Sequence, residues 1–161
     1  MDPDVLRRIL RRFAAGVTVI TSVNDAGEPV GMTATAFSSV SLDPPMVLVC
    51  VNATARTRHA IEGSTGYGVN ILADGQETIA RQFATSALDK FAGVAWRGGQ
   101  TGVPLIEGAL ATLECQVVQA VEAGTHIVYI GSVLAGDEPG GEPLLYHDGS
   151  YRTLTQPPAG L

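Results

Sequence analysis

The chain has 161 residues, of which 45% are hydrophobic, 16% charged and 6% aromatic. This length and apolar fraction suit one globular domain with a single core. We therefore expect one domain over residues 1–161, with its core at about 5–154. The formal net charge of −6 argues against nucleic acid or an anionic membrane as the main partner, because neither attracts a negatively charged protein.

The cysteines and the apolar runs bear on location. Cys50 and Cys115 each lie in an apolar run, without a CxxC spacing, which favours buried structural thiols over a zinc site. No segment reaches the roughly 18 apolar residues of a membrane span. The arginine-bearing N-terminal stretch is unlike a signal peptide, so we expect a cytoplasmic protein without membrane contact.

The first predicted element is an amphipathic helix. Asp2 followed by Pro3 is a helix start signal, and apolar residues from Val5 to Phe13 recur at helical spacing, up to Gly16. Its other face carries four arginines: Arg7, Arg8, Arg11 and Arg12. In an acidic chain we interpret that face as solvated rather than membrane-bound and assign it no site.

Short strands dominate the rest of the chain. Two β-branched ranges, 17–23 and 30–37, flank the turn-forming residues 24–27 and predict a hairpin. Further strands are predicted at 46–51, 67–72, 111–117 and 126–134, and a last strand pair at 144–154 around Asp148-Gly149. The strand at 46–51 is apolar throughout, so we expect both of its faces to be buried. In 111–117 apolar residues alternate with Thr112, Glu114 and Gln116, which predicts a half-buried strand.

Two further helices complete the predicted elements. The range 52–61 changes to helical spacing after its threonines, and Ile79–Ala84 follows Asp74 and Glu77, which have the spacing of a capping box. The Gly-rich range 93–108 is predicted to be irregular around a buried Trp96, and the tail from Gln156 to be frayed. Six or seven strands, two or three short helices and no βαβ alternation favour a mainly β fold, a closed antiparallel barrel.

The most informative run is Gly31–Pro45, which holds five hydroxyl side chains and ends in Asp43-Pro44-Pro45. Pro donates no backbone hydrogen bond and restricts the preceding residue, so the chain must turn there. Alternation along a strand places Thr33 and Thr35 on one face, beside the backbone of Ala34 and Ala36. Such small and polar residues predict one wall of a site for a flat, polar ligand.

A second candidate site lies at Asn52–Arg58. Thr54 and Thr57 supply hydroxyls, Arg56 and Arg58 supply guanidinium groups, and a helix with free N–H groups follows, all of which favour an anion. An equally supported alternative is that Thr54 only caps that helix. No G-x-G-x-x-G and no Walker sequence is present, so a nucleotide is not held in either of those ways.

Histidines and serines give weaker signals. His59, His126 and His147 are too scattered to indicate a metal, and the serines of 38–41 lie outside any G-x-S-x-G frame. His126 follows Gly124-Thr125 at the start of a strand, where it is either a pocket residue or a solvent-facing one.

Four segments, in this order and spacing, carry a family resemblance: FAAGVTVIT at 13–21, the run 31–45, GTHIVYIG at 124–131 and LYHDGSY at 145–151. Together they resemble the short-chain flavin reductases that accompany two-component flavin-dependent monooxygenases. The likeness covers roughly residues 5–154. One departure is Ala53, where many members carry a charged or larger polar residue.

This resemblance implies a split β-barrel with a Greek-key core, a homodimer, and FMN or FAD bound near the subunit interface. It further implies that NADH or NADPH reduces the flavin, which then passes to a partner oxygenase. The segments that match place the isoalloxazine and ribityl chain against Thr33, Ala34, Thr35, Ala36, Ser38, Ser39, Val40 and Ser41. The resemblance also implies that Asn52, Thr54 and Thr57 bind the flavin phosphate, with Arg56 close by, and that Phe83 borders the flavin. His126 and Tyr151 would flank the nicotinamide.

On this hypothesis the two candidate sites are the two ends of one ligand, and the cofactors carry the hydride chemistry. No side chain is predicted to act as an acid or base; backbone donors near 39–41 stabilise negative charge at the flavin N1/O2 edge, and His126 orients the nicotinamide nucleotide. The choices between FMN and FAD and between NADH and NADPH stay open. Two alternatives are a non-catalytic flavin-binding or carrier protein and a related split-barrel oxidase that acts on a small organic substrate.

Overall fold

The computed structural model describes residues 1–155, and the frayed tail predicted from Gln156 lies outside them. The helices are α1 (Pro3–Leu10), α2 (Arg56–Ser64) and α3 (Glu77–Phe83). The strands are β1 (Ala15–Gly16), β2 (Thr18–Val23), β3 (Pro29–Ala34), β4 (Phe37–Leu42), β5 (Pro45–Asn52), β6 (Gly66–Ile71), β7 (Trp96–Gly98), β8 (Pro104–Ile106), β9 (Ala111–Ala123), β10 (His126–Asp137), β11 (Leu145–His147) and β12 (Ser150–Arg152). Within this described part, no helix is both long and apolar enough to span a bilayer.

Seven antiparallel strands form the main sheet, in the order β3-β2-β6-β9-β10-β5-β4. The hairpin predicted from the turn at 24–27 is confirmed, because β2 pairs with β3 from Thr18 opposite Ala34 to Val23 opposite Pro29. Two small sheets, β1-β11-β12 and β7-β8, complete the architecture. The mainly β class is confirmed. Since the hydrogen-bonded order starts at β3 and stops at β4, closure into a barrel stays a prediction.

The two edge strands of the main sheet are neighbours in the amino-acid sequence. β3 and β4 are its two edge strands, and only Thr35 and Ala36 separate them. Ala34 of β3 and Phe37 of β4 accordingly pack in one core cluster, together with Val49 of β5. The sheet therefore curls around this cluster. The Gly31–Pro45 run that the sequence singled out lies where β3 and β4 meet, at 35–36, which we call the seam.

A second core cluster lies beneath α3. Phe83 is fully buried there, with its ring edge-on to Phe91 at a centroid distance of 4.9 Å. A Cβ built on Gly31 would lie only 2.8 Å from Cε1 of Phe83. Gly31 thus lets the aromatic ring pack directly against β3, and α3 is held under the seam.

The prediction that β5 is buried on both faces is wrong. Val47, Val49 and Val51 are buried, whereas Leu48 and Cys50 are half-buried. The alternation arises because the curled sheet encloses only the valine face. The other face of β5 borders a cavity that α1 also lines, and Cys50 is less enclosed than the sequence indicates.

The polar face of β9 also differs from its prediction. Thr112 and Glu114 are buried, because the β7–β8 hairpin, which the sequence left irregular, folds over them. The backbone N–H groups of Gln100 and Thr101 donate to the Glu114 carboxylate at 3.0 and 2.7 Å, and the Thr101 hydroxyl donates at 2.7 Å. Trp96, predicted to be buried, begins that hairpin and is 40% exposed.

Two helix boundaries need correction. Asp2 caps α1 as predicted, accepting from the N–H groups of Asp4 and Val5, but the helix ends at Leu10 rather than near Gly16. The capping box at 74–77 is wrong: Gln76 is the N-cap of α3, and the Glu77 carboxylate binds Arg81 one turn later. Glu77 thus pairs with a cation instead of a backbone N–H group.

Candidate functional site

A groove of about 410 Å³ lies between the N-terminus of α2 and the chain that follows α3. It is bordered by 29–32 of β3, by the 52–57 segment and by the chain from Ala84 to Lys90. The residues predicted for the flavin phosphate all line it: Asn52, Thr54, Arg56 and Thr57. The structure therefore brings this predicted set together around one concave surface.

The 52–54 turn is ordered by Asn52. Its Oδ1 accepts from the backbone N of Thr54 at 2.9 Å and from the Thr54 hydroxyl at 2.8 Å. The N-cap of α2 is Ala55, which offers no side-chain cap. The alternative that Thr54 caps the helix is therefore wrong, and the first N–H groups of α2 have the positive end of the helix dipole without a capping side chain.

The two arginines of this segment have different surroundings. Arg58 donates to Glu62 at 2.9 Å and to the carbonyl of Ala53 at 3.0 Å, and the Glu62 hydrogen bond raises the pKa of Arg58. The prediction that Arg58 serves the anion is wrong, because a carboxylate already holds it. Arg56 instead donates to the carbonyls of Ala87 and Leu88, across the groove.

Lys90 is a groove residue that the sequence did not indicate. It is half-buried, and its Nζ donates to the carbonyls of Gly31 at 3.2 Å and of Phe83 at 3.0 Å. Burial lowers the pKa of Lys90, and the nearby positive charge of Arg56 lowers it further. A single lysine in an irregular segment has no periodic signal, and its partners are distant in sequence, so only the structure reveals it.

A second, mostly apolar cavity of about 730 Å³ lies between α1 and the outer face of β4 and β5. Three of the residues predicted to contact the isoalloxazine ring and ribityl chain line it: Thr35, Ala36 and Ser38. Its apolar walls include Leu6 and Leu10 of α1, Phe13 just after that helix, Leu48 and Cys50 of β5, and Tyr146. The helix to which the sequence assigned no site therefore forms one wall of this cavity.

The rest of the predicted ring site divides into two groups. Ser39, Val40 and Ser41 continue along β4 beyond the cavity, and a bulge between Ser39 and Ser41 leaves Val40 unpaired and 47% exposed. These residues lie on an edge strand, which leaves alternate backbone groups of β4 unpaired.

The second group consists of Thr33, Ala34 and Phe83, which do not line the apolar cavity. The Thr33 hydroxyl donates to the carbonyl of Ala80 at 2.6 Å, and the carbonyl of Ala34 accepts from Thr18 at 2.7 Å. Phe83 has no exposed surface. The expected pairing of Thr33 with Thr35 on one face is wrong, since β3 ends at Ala34. These side chains support the seam, and the Phe83 ring is enclosed in the core.

One face of β5 joins the two cavities. Leu48, Cys50 and Asn52 alternate along the strand and so point to the same side. Leu48 and Cys50 line the apolar cavity, and Asn52 lines the groove. The separation of four residues corresponds to about 13 Å. This face fits an elongated ligand that is flat and apolar at one end and anionic at the other.

His126 and Tyr151 lie in different surroundings. His126 is exposed, pairs across the strands with Asn52, and its Nδ1 is 2.9 Å from the Thr125 hydroxyl. Tyr151 packs edge-on against Tyr146 at 5.3 Å, so it lies behind the apolar cavity. Burial raises the pKa of Tyr151, so its hydroxyl keeps its proton at neutral pH and is available as a hydrogen-bond donor.

Comparison with known proteins agrees with this geometry. The family model of the flavin reductase like domain matches residues 10–155. An NADH-dependent flavin reductase from Rhodococcus sp is 43% identical over 162 residues, covering 96% of this chain and 90% of the relative. HsaB, the reductase subunit of a flavin-dependent monooxygenase from Mycobacterium tuberculosis, is 39% identical over 154 residues, covering 94% and 82%.

A solved structure gives the same result. The NADH:FAD oxidoreductase SgcE6 of Streptomyces globisporus, in complex with NAD and FAD fragments, superposes with a TM-score of 0.91 at 40% identity, covering 99% of this chain and 96% of that one. A probable flavin reductase from Rhizobium meliloti is longer, and the chain spans 49% of its length at 40% identity. The chain belongs to the flavin reductase like domain family. The predicted family is confirmed, and the comparisons favour an enzyme over a non-catalytic carrier.

Proposed function

We propose that the chain is an NADH-dependent flavin reductase that uses FAD and passes the reduced flavin to a partner oxygenase. The observation that carries the proposal is the single face of β5 that links an apolar cavity to an anion groove. The choice of NADH, FAD and an oxygenase partner follows the names of the relatives, which are NADH-dependent, FAD-using or reductase subunits of monooxygenases.

The residues fit a flavin placed along this face. The isoalloxazine ring would lie in the apolar cavity against Ala36 and Cys50, with the phosphate end in the groove at Asn52, Thr54 and Thr57. When bound, a flavin supplies the hydride-accepting chemistry itself. The chain's own residues bind and orient the flavin and exclude water from it. The backbone of 39–41, predicted to stabilise negative charge on the ring, lies on the β4 edge strand beyond the cavity, so it would reach only a ring that extends along β4 past Ser38.

Steady-state oxidation of NADH and NADPH, with FAD, with FMN and without flavin, tests the proposal. Flavin-dependent oxidation that is faster with NADH and FAD is the expected result. Flavin binding without oxidation of either dinucleotide would support the carrier instead. Oxidation of a small organic substrate without a nicotinamide dinucleotide would indicate the oxidase.

We also infer a split β-barrel and a homodimer. The meeting of the two sheet edges at 35–36 supports the barrel. Apolar side chains exposed on α1, just after it and on β9 support a second copy, since such surface is usually covered: Leu10 is 61% exposed, Phe13 78%, Val118 54% and Val121 42%. A monomeric mass by light scattering would contradict the dimer. Cytoplasmic residence stays a prediction, in keeping with two unbridged cysteines.

A further inference from the structure

An aromatic pair backs one wall of the apolar cavity. Tyr146 of β11 lines that cavity and lies directly opposite Tyr151 of β12 across their hairpin. The two rings meet at a centroid distance of 5.3 Å and an interplanar angle of 66°, which is an edge-to-face contact. The lining of the cavity includes Tyr146 but not Tyr151, so Tyr151 bears on a ligand there through the Tyr146 ring.

A cation from α3 lies over the second of these rings. The guanidinium carbon of Arg81 is 4.9 Å from the centroid of the Tyr151 ring, within the distance of a cation–π contact. Glu77, one turn earlier in α3, accepts hydrogen bonds from Nε of Arg81 at 2.8 Å and from one of its terminal nitrogens. The Arg81 side chain is 65% exposed, so the Glu77 carboxylate, more than packing, determines where the guanidinium lies.

The hairpin that carries both tyrosines is fastened at its tip. Asp148 and Gly149 have φ angles of 50° and 81°, the sign that a two-residue turn of type I′ requires. The N–H of Asp148 donates to the carbonyl of Arg11 at 2.9 Å, and its carboxylate pairs with Arg12 at 3.0 Å. Since β11 also pairs with β1, the backbone of Tyr146 is held on every side. The orientation of its ring is therefore left to the side chain that packs on it.

We propose that Arg81 is a positioning residue for the reductase reaction: it fixes the Tyr151 ring, which in turn sets Tyr146 as the wall that orients the flavin ring. The inference rests on the proposed function for the placement of that ring in the apolar cavity. A fixed aromatic wall restricts a flat ligand to few orientations, and hydride transfer from NADH needs one of them. Glu77 contributes by holding Arg81 over Tyr151.

Fluorescence of FMN bound to the whole protein, without a nicotinamide dinucleotide, tests the wall. A tyrosine in contact with a flavin quenches its emission by electron transfer and a phenylalanine does not, so Tyr146→Phe should brighten bound FMN. Arg81→Gln should also brighten it, because the Tyr146 ring loses its fixed position. Arg81→Lys keeps a cation near Tyr151 and should restore most of the quenching. The control, Arg152→Gln, removes the same charge from an exposed position on the opposite face of β12 and should change nothing.

The single-turnover rate of flavin reduction by NADH should fall together with the quenching. Arg81→Gln is expected to lower this rate about two- to fivefold, the factor by which a cation over a partly exposed ring stabilises its position, and to change the dissociation constant for FMN by less than about twofold. Tyr151→Ala should lower the rate about tenfold or more. In the Tyr151→Ala background Arg81→Gln should add nothing, because the ring on which Arg81 acts is gone. If Tyr151→Ala does not fold, Tyr151→Leu takes its place, since leucine packs but has no aromatic face.

Unchanged emission and an unchanged rate in Arg81→Gln would overturn the proposal, and so would a further loss when Arg81→Gln is added to the Tyr151 variant. Equal brightening in Arg152→Gln would trace the effect to net charge and overturn it too. A Tyr146→Phe variant no brighter than the wild type would remove Tyr146 from the flavin ring. A wild type that oxidises no NADH, but whose bound FMN still brightens in Arg81→Gln, would refute the proposed function and leave the positioning role standing.

Discussion

His126 lies directly opposite Asn52 across the antiparallel pair of β5 and β10. The backbone joins the same two segments, because the N–H of Ala53 donates to the carbonyl of Thr125 at 2.9 Å. The candidate nicotinamide residue is thereby fixed at the end of β5 where the anion groove begins. We propose that from there His126 contacts the phosphate or ribose of a nicotinamide dinucleotide and so orients it, without transferring a proton.

His126→Ala is expected to raise the KM for NADH while leaving kcat nearly unchanged. Loss of one neutral hydrogen bond, about 0.5–1.5 kcal/mol, corresponds to a change of about two- to tenfold. His126→Gln should recover part of the affinity, because an amide still donates. Steady-state kinetics at saturating FAD provide the measurement. Unchanged KM and kcat would remove His126 from the site, and a loss confined to kcat would indicate a role in the chemistry.

Local patterns predicted much of the fold. The Asp2-Pro3 signal set the start of α1, the 24–27 turn set the β2–β3 hairpin, and the Gly124 turn precedes β10. These features depend on neighbouring residues, so a single sequence contains them. The order of the strands in the sheet does not depend on neighbouring residues. The meeting of β3 and β4 at the seam therefore emerged only from the structure.

The residues of the candidate site also divide into those that local sequence predicts and those that it misses. The 52–57 segment was predicted because its turn and helix start are contiguous in sequence. Lys90 was missed because its contact with Gly31 spans 59 positions, and Glu114 was taken for a surface residue because the hairpin that buries it is distant along the chain. Arg58 was misassigned for a related reason: its carboxylate partner, Glu62, competes with any anion.

Cys50→Phe tests which end of the face holds the flavin ring. The new side chain would enter the apolar cavity from β5, whereas the groove at Asn52 would keep its shape. Affinity for both FAD and FMN should fall about tenfold or more, since overfilling a fitted site costs about 1–3 kcal/mol. ADP affinity should stay within about twofold. Cys50→Ala, which adds no volume, is the control, and parallel loss of ADP and flavin binding would contradict this orientation.

Gly31→Ala is expected to lower the free energy of unfolding by about 1–3 kcal/mol, because its Cβ would meet the buried Phe83 ring at 2.8 Å and the Ile20 carbonyl at 3.1 Å. Gly98→Ala is the matched control. A Cβ on Gly98 meets nothing within 4 Å, so its effect should stay within about 0.5 kcal/mol. Urea unfolding followed by tryptophan fluorescence gives both values. Equal stabilities of the two variants would show that Phe83 moves aside without cost.

Glu114→Gln should destabilise the fold in a pH-dependent way. Burial alone would raise the pKa of Glu114, but the hydrogen bonds from Thr101 and Gln100 outweigh it and hold that pKa below its ordinary value. The carboxylate is therefore ionised in both folded and unfolded chains at neutral pH, where its full contribution is present. That contribution is lost as the pH falls through the lowered folded-state pKa.

We expect the wild type to exceed Glu114→Gln by about 1–3 kcal/mol in free energy of unfolding at pH 7, the cost of leaving buried donors imperfectly satisfied. The difference should shrink below about pH 4, the ordinary range of a glutamate pKa. Exposed Glu122, changed to Gln, should shift stability by no more than about 0.5 kcal/mol. Urea titrations at a series of pH values measure all three proteins. A difference that is constant with pH would mean that the β7–β8 hairpin is held by packing and not by the charge of Glu114.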